Sequence, residues 1–227
     1  MSLITIFTSP KPFTKSEHIN IIQRNAIESW TKLGHEVEVI LIGDEQGMEE
    51  VAADFGVKHI KEVRINALGT PMIPSMFDIA RDVTDSPILA FANADVIFTQ
   101  SMIDSVKAVL QTEKEFLMVG QRFDIEITER IDFSTGWQER LMELNAKIGT
   151  LHGPAGSDYF IFPRECFVDV PELVIGRAGW DNWMIYEARQ RGWKTIDCTA
   201  SLDLLHQNHD YSHLPGGQIH YRLPESN

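Results

Sequence analysis

Two polar side chains interrupt one of the most apolar stretches of the sequence. Residues 88–98 read I-L-A-F-A-N-A-D-V-I-F, which places Asn93 and Asp95 after a run typical of a strand buried on both faces. Because a buried carboxylate without a partner is costly, the strand should end near Asn93, and Asp95 should meet water, a hydrogen-bond donor or a cation. Two interpretations stay open: turn residues at a strand end, or a site for a hard cation at the carboxyl end of a parallel strand.

A histidine-rich cluster lies near the end of the sequence. His206, His209, Asp210 and His213 fall within eight residues, at relative positions i, i+3, i+4 and i+7. Neutral imidazole is a common ligand of Mn²⁺ and Zn²⁺. The cluster predicts a metal partner for Asp95, with His206 placed first because it follows a strand and His209 next. The alternative is a separate metal site formed by the whole cluster.

Asp181 stands at the start of a predicted helix between two tryptophans. Aspartate at such a position is often an N-cap, worth roughly 1 kcal/mol. The functional alternative is a general base that takes a proton from an acceptor hydroxyl. A cap does not account for Trp180 and Trp183, whose flat faces would suit a sugar acceptor, so the base is favoured. Asp158, after two small residues, is either a turn residue or a hydrogen-bond acceptor for substrate hydroxyls.

The first 120 residues alternate strand and helix. Apolar runs predict five strands, at 3–7, 37–42, 57–63, 88–93 and 116–120. Helical spacing predicts four helices between them, two of them capped by serine, at Ser16 and Ser75. This order predicts a parallel sheet with right-handed crossovers and helices on both faces.

The ends of these strands are expected to meet along one edge of the sheet. That edge would collect Thr8, Gly43, Arg64, Asn93 and Asp95, and it is where a nucleotide is expected to bind. The sequence has no G-x-G-x-x-G and no G-x-x-x-x-G-K-[ST], so a dinucleotide-binding fingerprint or a P-loop is not supported.

After residue 120 the alternation stops. Helices are predicted at 137–148 and 181–191, strands at 159–162, 194–197 and 201–205, and a mobile glycine-rich loop at 149–156. We interpret residues 121–213 as an acceptor and catalytic half of one domain that spans 1–227. Residues 214–227 are expected to form a loosely ordered tail.

Composition limits the classes of partner. The chain has 227 residues and a net charge of −13, which disfavours binding to a nucleic-acid backbone. No apolar run approaches the roughly 20 residues that cross a bilayer, and the start of the sequence does not resemble a signal peptide. The two cysteines have no metal-ligand spacing and are expected to be reduced, in a cytoplasmic protein.

Three segments resemble the nucleotide-diphospho-sugar transferases of the GT-A fold. Residues 75–99, ending in F-A-N-A-D-V-I-F-T, resemble the core segment in which a helix precedes a strand with a D-x-D metal motif. Residues 156–167, G-S-D-Y-F-I-F-P-R-E-C-F, are similar to the acceptor-side strand of that superfamily. Residues 179–192, G-W-D-N-W-M-I-Y-E-A-R-Q-R-G, are similar to its helix with a catalytic acid near the N-terminus. The histidines after Leu205 fall where many of these enzymes keep a metal-binding histidine.

The resemblance implies an α/β fold and a glycosyl transfer. The fold would be a GT-A-like open mixed sheet, with a Rossmann-like nucleotide-sugar-binding half at 1–120 that carries helices on both faces, and an acceptor half. The donor would be a nucleotide-diphosphate sugar, the acceptor a hydroxyl group, expected on a carbohydrate, and the cofactor Mn²⁺ or Mg²⁺. A homodimer is one candidate assembly.

The resemblance also implies roles for single residues. Thr8 and Ser9 would lie near the base or ribose, and Asn93 and Asp95 would contact the donor. A divalent cation would bridge Asp95 and the diphosphate, and Asp181 would activate the acceptor for in-line attack, with inversion at the anomeric carbon. Five cations are candidates to compensate the diphosphate, without a preference among them: Lys11, Lys15, Arg64, Arg81 and Arg177.

The sequence departs from the family motif at Asn93, where an amide replaces the first carboxylate of D-x-D. Its carbonyl oxygen can ligate a hard cation, but with less charge. Three other functions stay open. They are a nucleotidyltransferase on the same kind of sheet edge, a non-catalytic nucleotide-sugar or carbohydrate-binding protein, and a metal-dependent hydrolase built on the histidine cluster.

Overall fold

The computed structural model describes residues 1–14, 16–155 and 157–209. The strands are Ile4–Thr8 (β1), Val37–Ile42 (β2), Lys58–Ile60 (β3), Ile88–Ala92 (β4), Val96–Phe98 (β5), Phe116–Val119 (β6), Phe123–Ile125 (β7), Thr150–Leu151 (β8), Tyr159–Pro163 (β9), Lys194–Asp197 (β10) and Leu204–Gln207 (β11). The helices are Glu17–Thr31 (α1), Met48–Phe55 (α2), Ile73–Asp82 (α3), Ser101–Leu110 (α4), Trp137–Ile148 (α5) and Trp180–Gln190 (α6).

Seven strands form the main sheet, in the order β10-β6-β9-β4-β1-β2-β3. β1 pairs in parallel with β2 and β4, whereas β9 runs antiparallel to both β4 and β6. The sheet is therefore mixed, as predicted. Four short strands form a second sheet, in the order β5-β11-β7-β8.

The main sheet is covered on both faces because its central strands are apolar on both faces. Along β1, Ile4 and Ile6 pack in one cluster with Trp30 of α1, whereas Phe7 packs in another with Phe77 of α3. Successive side chains of a strand point to opposite faces, which explains this division. Helices α1, α2 and α4 lie on the first face, and α3 and α6 lie on the second.

Most of the predicted elements are present, with shifted ends. Ser16 caps α1 as predicted and accepts a hydrogen bond from the Ile19 N–H at 3.4 Å. The predicted cap at Ser75 is wrong: α3 begins at Ile73, and the Ser75 hydroxyl accepts a hydrogen bond from the Arg64 N–H at 3.0 Å.

Other differences concern short strands, which leave little periodic signal in the sequence. The strand predicted at 57–63 is three residues long, β11 begins at Leu204 and not at Ser201, and β5, β7 and β8 were not predicted. Lys15, Asp210, His213 and the predicted tail lie outside the described residues. No helix in the described ranges combines the length and the apolar character that crossing a bilayer requires.

Candidate metal and donor site

Asp95 lies in a short turn that passes from one sheet to the other. β4 ends at Ala92 and β5 begins at Val96, so residues 93–95 connect the two sheets at the carboxyl end of β4. The carbonyl oxygen of Asp95 accepts hydrogen bonds from the backbone N–H and the side-chain amide of Gln207, each at 3.1 Å. β11 therefore holds the turn in place.

The pairing of β11 brings two histidines to this turn. His206 stands opposite Val96 in the antiparallel β11–β5 pair, and His209 follows β11 by two residues. The Nε2 atom of His209 is 3.1 Å from Oδ2 of Asp95, and the two imidazole rings are 5.5 Å apart. Potential ligand atoms of Asp95, His206 and His209 all lie within 4.8 Å of one another.

The charge of Asp95 is stabilised in a buried position. Asp95 as a whole residue is 9% exposed, and burial alone would raise its pKa. The hydrogen bond with His209 and the charges of His206 and Lys11 outweigh burial and hold the pKa of Asp95 below its usual range. Burial lowers the pKa of His206, against the opposing charge of Asp95, and this favours the neutral imidazole that binds metals.

These three side chains fit a divalent cation. Oδ1 of Asp95 is buried, and among the described residues it has no hydrogen-bond partner. An anionic oxygen in that position needs a donor or a cation. One carboxylate and two imidazoles form a donor set that suits Mn²⁺ and Zn²⁺, whereas Mg²⁺ prefers oxygen ligands.

The contacts of Asn93 explain why an amide replaces the first carboxylate of the D-x-D pattern. Its side-chain amide donates a hydrogen bond to Oδ1 of Asp158 at 2.8 Å, and its backbone N–H donates to the Asp158 carbonyl at 2.8 Å. Arg122 donates to Oδ2 of Asp158 at 2.5 Å, and Asp158 is 6% exposed. A carboxylate at position 93 would face the carboxylate of Asp158, so the amide is the side chain that this arrangement requires.

The start of the donor edge is built from the end of β1. Thr8 is buried and ends β1, and the Ser9 hydroxyl lies against Gly43, where a β-carbon would be 3.4 Å from it. Lys11 follows, with its backbone held by Gln23 through hydrogen bonds of 2.7 and 2.9 Å. Burial lowers the pKa of Lys11, against the raising effect of Asp95.

Three of the other candidate cations have protein partners. Arg64 forms an ion pair with Glu172 on the surface, and Arg81 donates hydrogen bonds to the carbonyl groups of residues 164, 166 and 167. Arg177 donates to the Gly176 carbonyl. Among the candidate cations that the structure describes, Lys11 is the one whose charge acts on Asp95.

The start of α6 is anchored in the core by Trp180. This side chain is 6% exposed, and its ring packs edge-on against Phe91 and Phe160, with centroid distances of 4.8 and 5.0 Å. Both neighbours belong to the main sheet, so Trp180 packs in the core, and of the two tryptophans predicted to contact an acceptor Trp183 is the more accessible. Trp183 is half-buried and lies 6.1 Å from the Phe167 ring.

Asp181 is in the first turn of α6 and is partly exposed. The N-cap is Gly179, with φ of 102°, a left-handed conformation that glycine adopts without steric cost. Asp181 is therefore a residue of the first helical turn and not the cap, and its negative charge interacts favourably with the helix dipole. Its Oδ1 accepts a hydrogen bond from the Asn182 N–H at 2.9 Å.

A surface groove of about 280 Å³ lies elsewhere, between residues 126–132 and α5. Neither Asp95 nor the two histidines line it. The groove is lined by ordinary apolar and charged side chains, such as Trp137 and Arg140. The chemistry of the side chains, and not this concavity, therefore marks the candidate site.

The comparisons with known proteins concern the fold. No family model matches the sequence, and no curated protein matches it. The solved structures that resemble it include a mycobacterial protein, with 16% identity and a TM-score of 0.56 over 93% of this chain and 69% of that chain. Glucosyl-3-phosphoglycerate synthase from Mycobacterium tuberculosis, in complex with Mn²⁺, uridine diphosphate and phosphoglyceric acid, has 15% identity and a TM-score of 0.53 over 92% of this chain and 71% of that chain. The chain has the GT-A glycosyltransferase fold.

In this GT-A fold, three site residues were not selected from the sequence. Arg122, Asp124 and His152 form a polar network beside His206 and Asp158, described in detail below. Arg122 and Asp124 lie just after a buried strand, in a stretch for which neither a helix nor a strand is predicted above. The available signal was the strict alternation of polar and apolar residues over 122–128, R-F-D-I-E-I-T, which is typical of a half-buried strand.

Proposed function

We propose that this chain is a metal-assisted glycosyltransferase that moves a sugar from a nucleotide-diphosphate sugar to a hydroxyl acceptor. The observation that carries the proposal is the group of Asp95, His206 and His209 at the carboxyl end of a parallel strand, where open α/β sheets bind ligands. Structures of a GT-A neighbour that contain uridine diphosphate with Mn²⁺ or Mg²⁺ support it.

The cation would be held by Asp95, His206 and His209. When bound, Mn²⁺ or Mg²⁺ supplies positive charge that offsets the negative charge developing on the diphosphate leaving group. The two nitrogen donors favour Mn²⁺ over Mg²⁺. The buried position of Asp95 keeps its interaction with the cation poorly screened by water.

Donor binding is assigned to the edge formed by β1 and β4. Thr8 and Ser9 lie at the end of β1, in the place expected for the nucleoside. Lys11 adds a positive charge beside Asp95, where it can compensate the diphosphate. Asp158 is fixed by Asn93 and Arg122, and its remaining lone pairs can accept a hydrogen bond from a sugar hydroxyl.

Acceptor activation is assigned to Asp181, which implies inversion at the anomeric carbon. Trp180 fixes the start of α6 against Phe91 and Phe160, the paired residues of β4 and β9. Asn93 and Asp158 lie two residues beyond this pair along their strands, so the helix start and the donor edge are built on the same two strands. Trp183 is partly exposed and is therefore the more accessible aromatic side chain for contact with the acceptor.

The first test is thermal unfolding against a panel of nucleotide sugars, each with and without Mn²⁺. A ligand at 100 times its Kd stabilises the folded state by about 2.7 kcal/mol, which raises the Tm of a chain of this size by roughly 5–11 °C. We expect one nucleotide sugar to give such a rise and to require Mn²⁺ for it.

The other outcomes point to the rival functions. A rise that is independent of metal would contradict metal assistance. A rise in Tm with Mn²⁺ alone, to which no nucleotide or nucleotide sugar adds, would favour a hydrolase. Release of the nucleoside diphosphate in the presence of a hydroxyl acceptor separates a transferase from a protein that only binds the donor.

A further inference from the structure

A second carboxylate lies behind one of the metal-site histidines. Asp124 is the central residue of β7, and the parallel β11–β7 pair places it opposite His206. The Nδ1 atom of His206 is 3.1 Å from Oδ1 of Asp124. Since Asp124 does not belong to the group formed by Asp95, His206 and His209, it contacts the site through the imidazole of His206.

The chemistry of this contact decides which nitrogen of His206 carries the proton. An ionised carboxylate accepts hydrogen bonds and cannot donate them. Asp124 forms an ion pair with the guanidinium of Arg122, which donates from Nε to Oδ1 at 2.9 Å, so its carboxylate acts as an acceptor. Nδ1 of His206 must therefore carry the hydrogen, which leaves the lone pair on Nε2.

Asp124 is itself held on both oxygens. Arg122 Nε donates to Oδ1 at 2.9 Å, and Nδ1 of His152 is 2.7 Å from Oδ2. Arg122 is fixed in turn by its hydrogen bond to Asp158 at 2.5 Å. A carboxylate with partners on both oxygens cannot rotate freely, so it defines the plane of the His206 ring as well as its tautomer.

We propose that Asp124 is a positioning residue that holds His206 in the Nδ1–H tautomer and presents Nε2 to the cation bound by Asp95 and His209. This inference rests on the proposed metal site. Carboxylate partners of metal-binding histidines typically raise metal affinity by about 10–100-fold. The same range is therefore expected for the loss of Asp124.

The test measures the Kd for Mn²⁺ by electron paramagnetic resonance, without substrate or turnover. Asp124→Asn should weaken Mn²⁺ binding by about 10–100-fold. Asp132→Asn is the matched control, since Asp132 is an exposed carboxylate of the neighbouring segment that accepts hydrogen bonds from Ser134. Its Kd should equal that of the unmodified chain.

A second control separates positioning from simple loss of negative charge. Asp158 acts on His206 through charge but has no hydrogen bond to it. Asp158→Asn should therefore weaken Mn²⁺ binding less than Asp124→Asn does. Equal losses in the two variants, or an unchanged Kd in Asp124→Asn, would overturn the positioning role.

The tautomer itself is measured by ¹⁵N NMR of the imidazole rings without metal, at a pH where they are neutral. We expect Nδ1–H for His206 in the unmodified chain and a shift toward Nε2–H in Asp124→Asn. An Nε2–H tautomer in the unmodified chain overturns the inference even if Mn²⁺ binds. If the unmodified chain does not bind Mn²⁺, the proposed metal site fails, and the inference fails with it.

Discussion

Buried polar side chains lie at both ends of the central strands of the main sheet, but the two ends differ in how these side chains are hydrogen-bonded. At the amino end, the hydroxyl of Thr5 is 2.8 Å from the hydroxyls of both Thr84 and Ser86. At the carboxyl end, Oδ1 of Asp95 is buried without a hydrogen-bond partner among the described residues. The hydroxyl groups at the amino end have partners within the protein, whereas this one carboxylate oxygen has none among the residues that the structure describes.

The network at the amino end extends to charged groups that complete it. Thr84 donates to Oε2 of Glu38 at 2.7 Å, and Lys58 pairs with Oε1 of Glu38 at 2.8 Å. Ser2 is hydrogen-bonded to Ser86 at 2.6 Å. A buried network whose members are all satisfied specifies and stabilises a packing arrangement.

The contrast shows how a site can be recognised without a bound ligand. Buried polar groups normally have partners, so a buried carboxylate oxygen that lacks one among the described residues indicates an external partner. Substitutions at the carboxyl end should therefore alter binding or turnover, whereas substitutions at the amino end should alter stability.

The largest effect is expected from Asp95→Asn, which removes the anionic ligand and keeps the shape of the side chain. Mn²⁺ binding should fall by more than the roughly 10–100-fold that loss of an outer partner costs, and the Mn²⁺-dependent Tm rise with nucleotide should disappear. Isothermal titration calorimetry measures the Kd for Mn²⁺ and the Kd for the nucleotide. Asp54→Asn, which removes the surface partner of Arg24, is the control. Retained Mn²⁺ affinity in Asp95→Asn would contradict the metal assignment.

Turnover should depend on Asp181 without a matching change in donor affinity. A positioned general base contributes about 10²–10⁴-fold to a rate, so Asp181→Asn should lower kcat by that range. The Kd for the donor with Mn²⁺ should stay the same. Asp169→Asn, at the partner of Arg191 near the end of α6, should leave kcat unchanged. Undiminished transfer in Asp181→Asn would favour a retaining mechanism.

Asn93→Asp should weaken the site, although it restores the D-x-D pattern. The new carboxylate would lie where the amide now donates to Asp158 at 2.8 Å, and two adjacent carboxylates resist ionisation. We expect a lower Tm and no gain in Mn²⁺ affinity. The Tm loss should shrink as the pH is lowered, because protonation of one carboxylate relieves the repulsion.

Asn20→Asp is the matched control for this change. Oδ1 of Asn20 accepts a hydrogen bond from Arg24 at 2.9 Å, so the same substitution places a carboxylate beside a positive charge. It should keep or slightly raise the Tm. If Asn93→Asp instead tightens Mn²⁺ binding, the pairing of Asn93 with Asp158 does not explain the amide.

The sequence predicts the strands and helices better than it predicts the site. The continuous apolar run of β4 and the cap at Ser16 are local signals, and both are confirmed. Asp95 was selected because a carboxylate after a buried strand needs a partner, and the two histidines were selected because they belong to a cluster of possible metal ligands within eight residues. Their convergence depends on the register of β11 against β5, strands of four and three residues that are distant along the chain.

The site residues that were not selected from the sequence also depend on the pairing of distant strands. Asp124 is recognisable as a partner of His206 only after β7 is aligned with β11. Trp180 depends on packing in the same way, since an aromatic side chain beside a carboxylate suggests a binding surface, and its ring packs edge-on against Phe91 and Phe160. Tertiary packing decides both cases, and no local pattern encodes it.

At the amino end, Thr5→Val should reduce stability and leave Mn²⁺ binding unchanged. The substitution keeps the shape but deprives Thr84 and Ser86 of a partner, at a cost of about 1–3 kcal/mol. Each kcal/mol lowers the Tm of a chain of this size by roughly 2–4 °C. Thr195→Val, on the exposed surface of β10, should have a much smaller effect. Weaker Mn²⁺ binding in Thr5→Val would contradict the division between the two ends.

The smallest effect is expected from the acid dependence of the amino-end network. Burial raises the pKa of Glu38, but Lys58 and Thr84 lower it overall. A carboxyl with a lowered folded-state pKa stabilises the protein above its unfolded pKa, near 4, and this contribution is lost as the pH falls through the folded-state value. Glu38→Gln should therefore flatten the loss of stability below about pH 4, measured by urea unfolding at several pH values.

The control for Glu38 is Glu172→Gln, which removes the surface partner of Arg64. An exposed pair contributes little to stability, so this variant should keep the acid dependence of the unmodified chain. If Glu38→Gln keeps it too, the acid dependence arises from other carboxyl groups, and Asp95 is the first to examine because its pKa is also lowered. The amino-end carboxylate would then owe its place to shape alone, and the contrast between the two ends would rest on metal binding.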